Sequence, residues 1–372
     1  MDICEQSPSY IRAIAPYQPG KPISELAREM RLDEASIIKL ASNENPLGLA
    51  PRAKAAIERE LVELARYPDG NGFELKAALS RRYGRDADSI VVGNGSNDIL
   101  EMVGMAFLSP GKSSVYSQHT FAVYPLATQA RGARGIVVPA RNFGHDLPAM
   151  QAAVCSDTAV MFLANPNNPT GTFASGPELE ALMRGVPAHV VVVLDEAYNE
   201  YLPVNKRYDS VRWLENHRNL VIVRTFSKAY GLAGLRVGYG LCSPEVADLL
   251  NRVRQPFNVN SLALVAAVAA LEDVEFVERS YQVNLAGLDQ LEKGFKALGL
   301  DWIPSSGNFV SVRLPRVNNA SQAGPVFEKL LRLGVIVRPV AAYEMPDHLR
   351  ITVGLPAENE RFLKALAIAL AS

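Results

Sequence analysis

Cysteine is scarce in this sequence. Cys4, Cys155 and Cys242 are odd in number, far apart and without a CxxC pair. That pattern argues against a disulfide framework and a cysteine-based zinc site, and leaves each thiol as a small apolar side chain. No metal site is expected. Excess charge of one sign is also missing: 38 Lys and Arg face 39 Asp and Glu, a formal net charge of −1. Basic residues such as Arg81, Arg82, Arg131 and Arg134 are scattered rather than striped, so no global field draws nucleic acid or an anionic membrane. No apolar run approaches the roughly 20 residues that a membrane span needs. The richest, Leu262 to Leu271, is short and falls in a helical pattern. The first residues carry no apolar run of signal-peptide type, so a cytoplasmic location is the default expectation. Internal repeats and low-complexity segments are absent.

What is present is a chain of 372 residues, 48% hydrophobic and 21% charged. This is an ordinary globular composition, long enough for two domains. Residues 1–30 read as a Pro- and Gly-rich arm ending in a short helix from Ser24 to Met30. Short apolar runs then alternate with helical patterns. Strands are expected at Ser89–Val92, Ser114–Tyr116, Gly135–Val138, Ala159–Leu163, Val190–Leu194 and Leu220–Val223, with a helix over Ser96–Phe107. Continuous β-branched runs without alternation mark strands buried on both faces, hence an α/β fold with a mostly parallel sheet covered by helices. From residue 262 the pattern changes. Long helical stretches to Leu298 precede strands at Asn308–Leu314, Val335–Arg338 and His348–Val353, with helices at Ala323–Leu333 and Ala357–Ala371. The expected division is an arm (1–30), a large domain (31–261) and a smaller α+β C-terminal domain (262–372).

In open α/β sheets ligands bind beyond the carboxyl ends of the strands, and the chemically useful residues cluster there. Gly93-Asn-Gly-Ser-Asn97 opens a helix, where Gly95, Ser96 and Asn97 could hold an anion on unpaired N–H groups; a plain capped turn explains it equally well. Asn165-Pro-Asn-Asn-Pro-Thr-Gly171 is a rigid turn that could present an amide to a ligand. Asp195-Glu-Ala-Tyr198 places a carboxylate at the end of an apolar strand. Burial there is costly unless a cation pairs with it, from the protein or from a ligand. Lys228 sits on a hydroxyl- and glycine-rich loop, Thr225 to Arg236, suited to nucleophilic amine chemistry, although a lone lysine is more often a surface residue.

Taken together and in order, NPNNPTG (165–171), DEAY (195–198) and TFSKAYGLAGLR (225–236) resemble the active-site segments of fold-type I pyridoxal-phosphate (PLP) aminotransferases of class I/II. Within that group the sequence is similar to the histidinol-phosphate aminotransferases, through PYQPGKP (16–22), KLASNENPLG (39–48), RYPDG (66–70), GNFVSVR (307–313) and LRITVG (349–354). The resemblance covers nearly the whole chain. It implies that Lys228 carries pyridoxal 5'-phosphate as a Schiff base, that Asp195 pairs with its ring nitrogen, and that Tyr198 and Asn168 bond its phenolic oxygen. Gly95, Ser96, Asn97, Thr225, Ser227 and Arg236 would hold the phosphate, and Phe121 would stack on the ring. Tyr67 would reach the phosphate in a neighbouring subunit, which implies a homodimer with shared active sites. Tyr17, Asn45, Arg338 and Arg350 would receive the amino donor and the 2-oxoacid. The reaction implied is amino transfer between histidinol phosphate and 2-oxoglutarate. Related proteins act on aromatic amino acids or decarboxylate a phosphorylated amino acid, and those readings stay open. A DNA-binding regulator on the same fold needs an additional N-terminal domain, for which this arm is too short. Where many relatives have Pro-Thr-Tyr, this chain has His119-Thr120-Phe121. The ring stack survives without the hydroxyl, and His119 is expected to pack as a neutral side chain or support the site indirectly.

Overall fold

The structure, a computed structural model, describes residues 2–371. Its largest sheet has seven strands: β1 (Ile90–Gly93), β2 (Ser113–Ser117), β3 (Arg134–Val138), β4 (Thr158–Ala164), β5 (Val191–Asp195), β6 (Leu220–Thr225) and β7 (Gly238–Leu241). They lie in the order β1-β7-β6-β5-β4-β2-β3. Neighbours run parallel except at β7, which is antiparallel to β1 and β6. The central strands β4, β5 and β6 are buried on both faces, as their unbroken Val, Ile and Leu runs require.

Strand β7, Gly-Tyr-Gly-Leu, escaped the sequence reading because two of its four residues are glycine, which weakens any strand signal. The structure supplies the reason for both. A Cβ on Gly238 would sit 2.5 Å from the Ser96 amide nitrogen, and one on Gly240 would sit 3.1 Å from the Ile99 side chain. The helix Ser96–Phe107 thus rests on β7 with its first turn against the bare backbone.

A second, antiparallel sheet comprises β8 (Trp302–Ile303), β9 (Phe309–Arg313), β10 (Arg338–Pro339) and β11 (His348–Thr352), ordered β10-β11-β9-β8. The single strand expected at Val335–Arg338 is two pieces with different partners. Val335–Ile336 pairs in parallel with Ile38–Lys39, while β10 joins β11. The long helical stretch is likewise broken, into Ser261–Leu271 and Val274–Ala297, with Asp273 capping the second helix at the Phe276 amide.

Packing supports a different division from one placed at residue 262. Ala263, Ala266, Ala267 and Ala270 are buried in the core of the large sheet, together with Ala53 of helix Pro51–Glu60. In return, Leu26, Ala27 and Ile37 pack with Leu331 and Ile336 near the second sheet. We propose that residues 23–41 and 274–371 form the smaller unit.

At the carboxyl ends of β5 and β6 lies the ion pair Arg224–Glu196. Both side chains are nearly inaccessible, with Nε–Oε2 at 2.9 Å and Nη2–Oε2 at 2.8 Å. Tyr83 accepts from Arg224 Nη1 at 3.0 Å. Removing one partner leaves an uncompensated buried charge. Arg224→Met is expected to cost about 3–5 kcal/mol in urea unfolding, and adding Glu196→Gln to recover much of it. An equal loss in the single and double variants would contradict this account.

Candidate active site

The register of the large sheet sets the site. Gly93 and Thr225 both face Gly238, and Ala164 faces Asp195, so the loops after β1, β4, β5 and β6 emerge along one edge. There they meet Ala41–Glu44 and the side chains of Arg338, Tyr343 and Arg350, around a cavity of about 250 Å³.

Asp195 ends β5 on the cavity floor and is 5% exposed. Its Oδ2 accepts from Tyr124 Oη at 2.8 Å and its Oδ1 from the Ala197 amide at 3.2 Å. No cation among the described residues lies within 4 Å of it. Burial, reinforced by neighbouring Glu196, raises its pKa to about 6, against the pull of those donors and Lys228. Tyr124 was not anticipated. It stacks on Phe162 (4.9 Å between centroids) and meets the edge of Phe121 (5.9 Å), so one side chain links the floor carboxylate to an aromatic platform.

Lys228 Nζ donates to the Ser42 carbonyl at 3.3 Å and lies 5.9 Å from the centre of the Tyr198 ring. Burial, then repulsion from Arg350 and Arg236, lowers its pKa to about 8 in spite of Glu44 and Asp195. A sizeable neutral fraction near physiological pH makes it a competent nucleophile. Tyr198 Oη accepts from Asn43 Nδ2 at 2.9 Å and keeps its own proton; burial pushes its pKa up to about 12.

Two further cations meet only neutral oxygens. Arg350 is 6% exposed; it donates to Asn168 Oδ1 at 2.5 Å and to the Ala41 carbonyl at 2.7 Å, and its buried Nε has no partner. Burial lowers its pKa. Arg236 donates to Ser227 Oγ (3.3 Å) and the Ala233 carbonyl (3.0 Å). A Cβ on Gly95 would come within 2.3 Å of the Arg236 guanidinium, so glycine is what lets the start of helix Ser96–Phe107 approach it. That helix has no side-chain cap on its first amides. Its amides, Arg236, Ser96, Thr225 and Ser227 together form an anion cradle.

Other expected residues divide. Asn97, Phe121, Tyr17 and Arg338 line the cavity. Tyr17 lies under the Arg338 guanidinium at 5.5 Å, and Arg338 is held by the Gln18 carbonyl at 2.6 Å. Asn45 does not line the cavity, which corrects its expected contact with substrate. Its amide donates to the Ala229 carbonyl and Ser280 Oγ, and its oxygen accepts from the Leu47 amide, so its polar atoms are committed to the scaffold. Its neighbour Asn43 faces the cavity instead. Tyr67 is 82% exposed, stacked on Phe257, and outside the lining. His119 is 8% exposed and bonds the Tyr343 carbonyl through Nδ1 at 2.8 Å, supporting the wall without entering it. A larger cleft of about 850 Å³ beside helix Gly176–Gly185 shares none of these residues. Of its charged groups, Asp146 and Glu178 cap helices, and Lys206 bonds Ser306 within the same lining.

A fold with a seven-stranded, mostly parallel sheet and a lysine–aspartate–arginine cavity at its carboxyl edge defines a class, and comparison agrees. The chain belongs to the family Aminotransferase class I and II, whose pattern matches residues 35–366. It is 61% identical over 370 residues to histidinol-phosphate aminotransferase 2 of Nitrosospira multiformis, covering all of this chain and 93% of that protein. It is 59% identical to histidinol-phosphate aminotransferase 2 of Pseudomonas aeruginosa, covering 97% and 96% of the two chains. The crystal structure of histidinol-phosphate aminotransferase from Sinorhizobium meliloti in complex with pyridoxal-5'-phosphate superimposes with a TM-score of 0.89 at 26% identity, covering 98% and 97%. An aspartate aminotransferase double mutant from Thermus thermophilus shares the fold, with a TM-score of 0.84 at 24% identity. Among the described residues no helix is long and apolar enough to cross a membrane, and no group of acidic, His or Cys side chains could hold a metal.

The raised pKa of Asp195 has a consequence for stability. In the cofactor-free protein the carboxylate costs about 3 kcal/mol relative to its unfolded value near 3.8, fully present above pH 6 and fading as pH falls toward 4. Cofactor-free Asp195→Asn should therefore be more stable than the parent at pH 8, by a margin that narrows at pH 5. Urea unfolding at both pH values measures it; a margin independent of pH would show that burial does not control this carboxyl.

Proposed function

We propose that this chain is a pyridoxal-phosphate aminotransferase that exchanges the amino group of histidinol phosphate with 2-oxoglutarate, giving imidazole-acetol phosphate and glutamate. The observation that carries the reading is the charge inventory of the cavity. Among the described residues Asp195 has no cation paired with it, and Arg236, Arg338 and Arg350 have no carboxylate, in a space that also holds a lysine of lowered pKa.

The residues fit the cofactor. Asp195 suits a protonated ring nitrogen, which a buried carboxylate holds far better than a neutral group does. The Arg236 cradle suits its phosphate. Phe121 offers a ring face, while Tyr198 Oη and the Asn168 amide can donate to its phenolic oxygen. Bound there, pyridoxal phosphate supplies the electron sink for carbanion chemistry. The protein supplies the rest. Lys228 would hold the cofactor at rest, and its freed amine would take the proton from the α-carbon of the donor and deliver one to the α-carbon of the amino product of the other half-reaction. Arg350, fixed by Asn168 and Ala41, and Arg338, fixed by Gln18, bind the phosphate of one substrate and the distal carboxylate of the other; the guanidinium fork suits both anions. Tyr17 closes over Arg338 from the N-terminal arm.

The same reading implies a homodimer with shared sites, acting in histidine biosynthesis in the cytoplasm. Tyr67 is exposed, as are Leu61, Val62 and Phe73 near it in sequence, and it lines a cleft of about 580 Å³ with apolar Leu264, Val265 and Val268 and charged Arg59, Glu60 and Arg66. A second chain would cover this surface and receive Tyr67 at its cofactor phosphate. Sedimentation should give twice the chain mass. Tyr67→Phe should weaken cofactor retention about tenfold, roughly what one phosphate hydrogen bond contributes. A monomer with full activity would end the shared-site reading.

The deciding experiment is the half-reaction. Histidinol phosphate should discharge the visible cofactor band much faster than phenylalanine does, and Lys228→Ala should fold, hold the cofactor noncovalently and lose nearly all turnover. Faster conversion by phenylalanine would make this an aromatic aminotransferase on the same frame. Carbon dioxide release without a 2-oxoacid would make it a decarboxylase.

A further inference from the structure

Six charged side chains line the cavity, and the proposed chemistry uses five of them. The sixth is Glu44. It is the only acid of the wall besides Asp195, among Lys228, Arg236, Arg338 and Arg350. Its position is tightly specified. Asn43, the residue before it, is buried and holds a left-handed backbone conformation with φ of 56°. Such a conformation costs free energy in a non-glycine residue and persists only where surrounding contacts enforce it. Here they do. The Asn43 amide donates to Thr352 Oγ1 (2.9 Å), its carbonyl accepts from Asn308 Nδ2 (3.0 Å), and its side chain bonds Thr352 and Tyr198. On the other side, the Ser42 carbonyl accepts from Lys228 Nζ. Residues 42–44 therefore form a fixed rim beside the reactive amine, and the strained residue aims Glu44.

The carboxylate is only partly engaged. Lys39 bonds Oε1 at 3.0 Å, and the Glu44 side chain remains 45% exposed. A half-exposed pair of this kind contributes little stability, up to about 1 kcal/mol. A carboxylate with an available oxygen, in a cavity whose other charged groups are Asp195 and four cations, is an acceptor for an N–H donor on the substrate.

We infer that Glu44 is a specificity-determining residue that recognises the imidazole ring of the donor through an N–H···carboxylate hydrogen bond. The inference rests on histidinol phosphate being the donor. That molecule has three polar parts: the amine takes the place of the Lys228 amine at the reaction centre, the phosphate goes to Arg338 and Arg350, and the imidazole N–H is left for an acceptor. A phenyl ring offers no N–H to satisfy the carboxylate, and glutamate, whose distal carboxylate goes to Arg338 and Arg350, has no ring N–H to offer. A site built around a hydrogen bond rejects an analogue lacking the donor, because its own polar group is then left unpaired.

The test compares three amino donors in half-reactions of the holoenzyme: histidinol phosphate, its analogue with phenyl in place of imidazole (2-amino-3-phenylpropyl phosphate), and glutamate. The parent should prefer histidinol phosphate to the phenyl analogue by tenfold or more in kcat/KM. Glu44→Gln should reduce that preference at least tenfold and move the histidinol phosphate to glutamate ratio toward glutamate, with Glu44→Asp intermediate. Equal losses with all three donors would overturn the inference and make Glu44 a general electrostatic group beside Lys228. Unchanged ratios in a folded, cofactor-loaded variant would overturn it too. If the parent itself fails to convert histidinol phosphate, the proposed function falls first; conversion by the parent with no shift in the variants defeats Glu44 alone.

Discussion

The arrangement depends on a carboxylate placed where the protein gives it no cation. Asp195 terminates a strand of valines and leucine whose side chains are all buried, and its closest polar partners are a phenol and a backbone amide. An ionised group so placed is costly until a cation enters. The fold sustains that cost with the packed sheet around β5. The same frustration makes the cavity selective, because a ligand that brings a positive ring nitrogen to Asp195 and negative groups to Arg236 and Arg350 neutralises each in turn.

Neutral hydrogen bonds hold the charged groups in place while leaving their charge available. Arg350 is oriented by Asn168 and Ala41, Arg236 by Ser227 and Ala233, and Lys228 by Ser42. A carboxylate in any of these positions would quench the cation that the substrate needs. Helix and sheet backbone thus orient the site, and the substrate and cofactor complete its electrostatics. Residues 39–44 connect the two parts: Lys39 pairs with Ile336, and the Ser42 carbonyl accepts from Lys228.

Much of this was legible in the sequence for local reasons. Strands β4, β5 and β6 declare themselves through apolar β-branched runs, and helix Ser96–Phe107 through the Gly-Asn-Gly-Ser start that precedes it. Since ligands gather at strand carboxyl ends, Asp195, Asn168, Ser96 and Lys228 could be singled out from where each run stops. Their roles came from the resemblance of the surrounding segments to the active-site segments of PLP aminotransferases. Those features need only a period, a breaker and a neighbour in sequence.

Other features came from contacts between distant segments, which no local pattern encodes. Strand β7 is glycine-rich because a helix lies against it. Helix Ser261–Leu271 belongs to the large core because its alanines fit helix Pro51–Glu60, although its composition fits either unit equally well. Asn43 and Asn45 are two residues apart and chemically identical, yet one faces the cavity and the other is spent on Ala229 and Ser280. Tyr124 reads as an ordinary core aromatic until β5 brings Asp195 to its hydroxyl. The sequence by itself determined which central strands are buried and, through segments that resemble known active sites, which side chains to look to, since apolar runs and motifs are properties of short stretches. Only the tertiary structure decided which of those side chains share one cavity and which atoms remain free there, since that depends on register and packing between segments far apart in the chain.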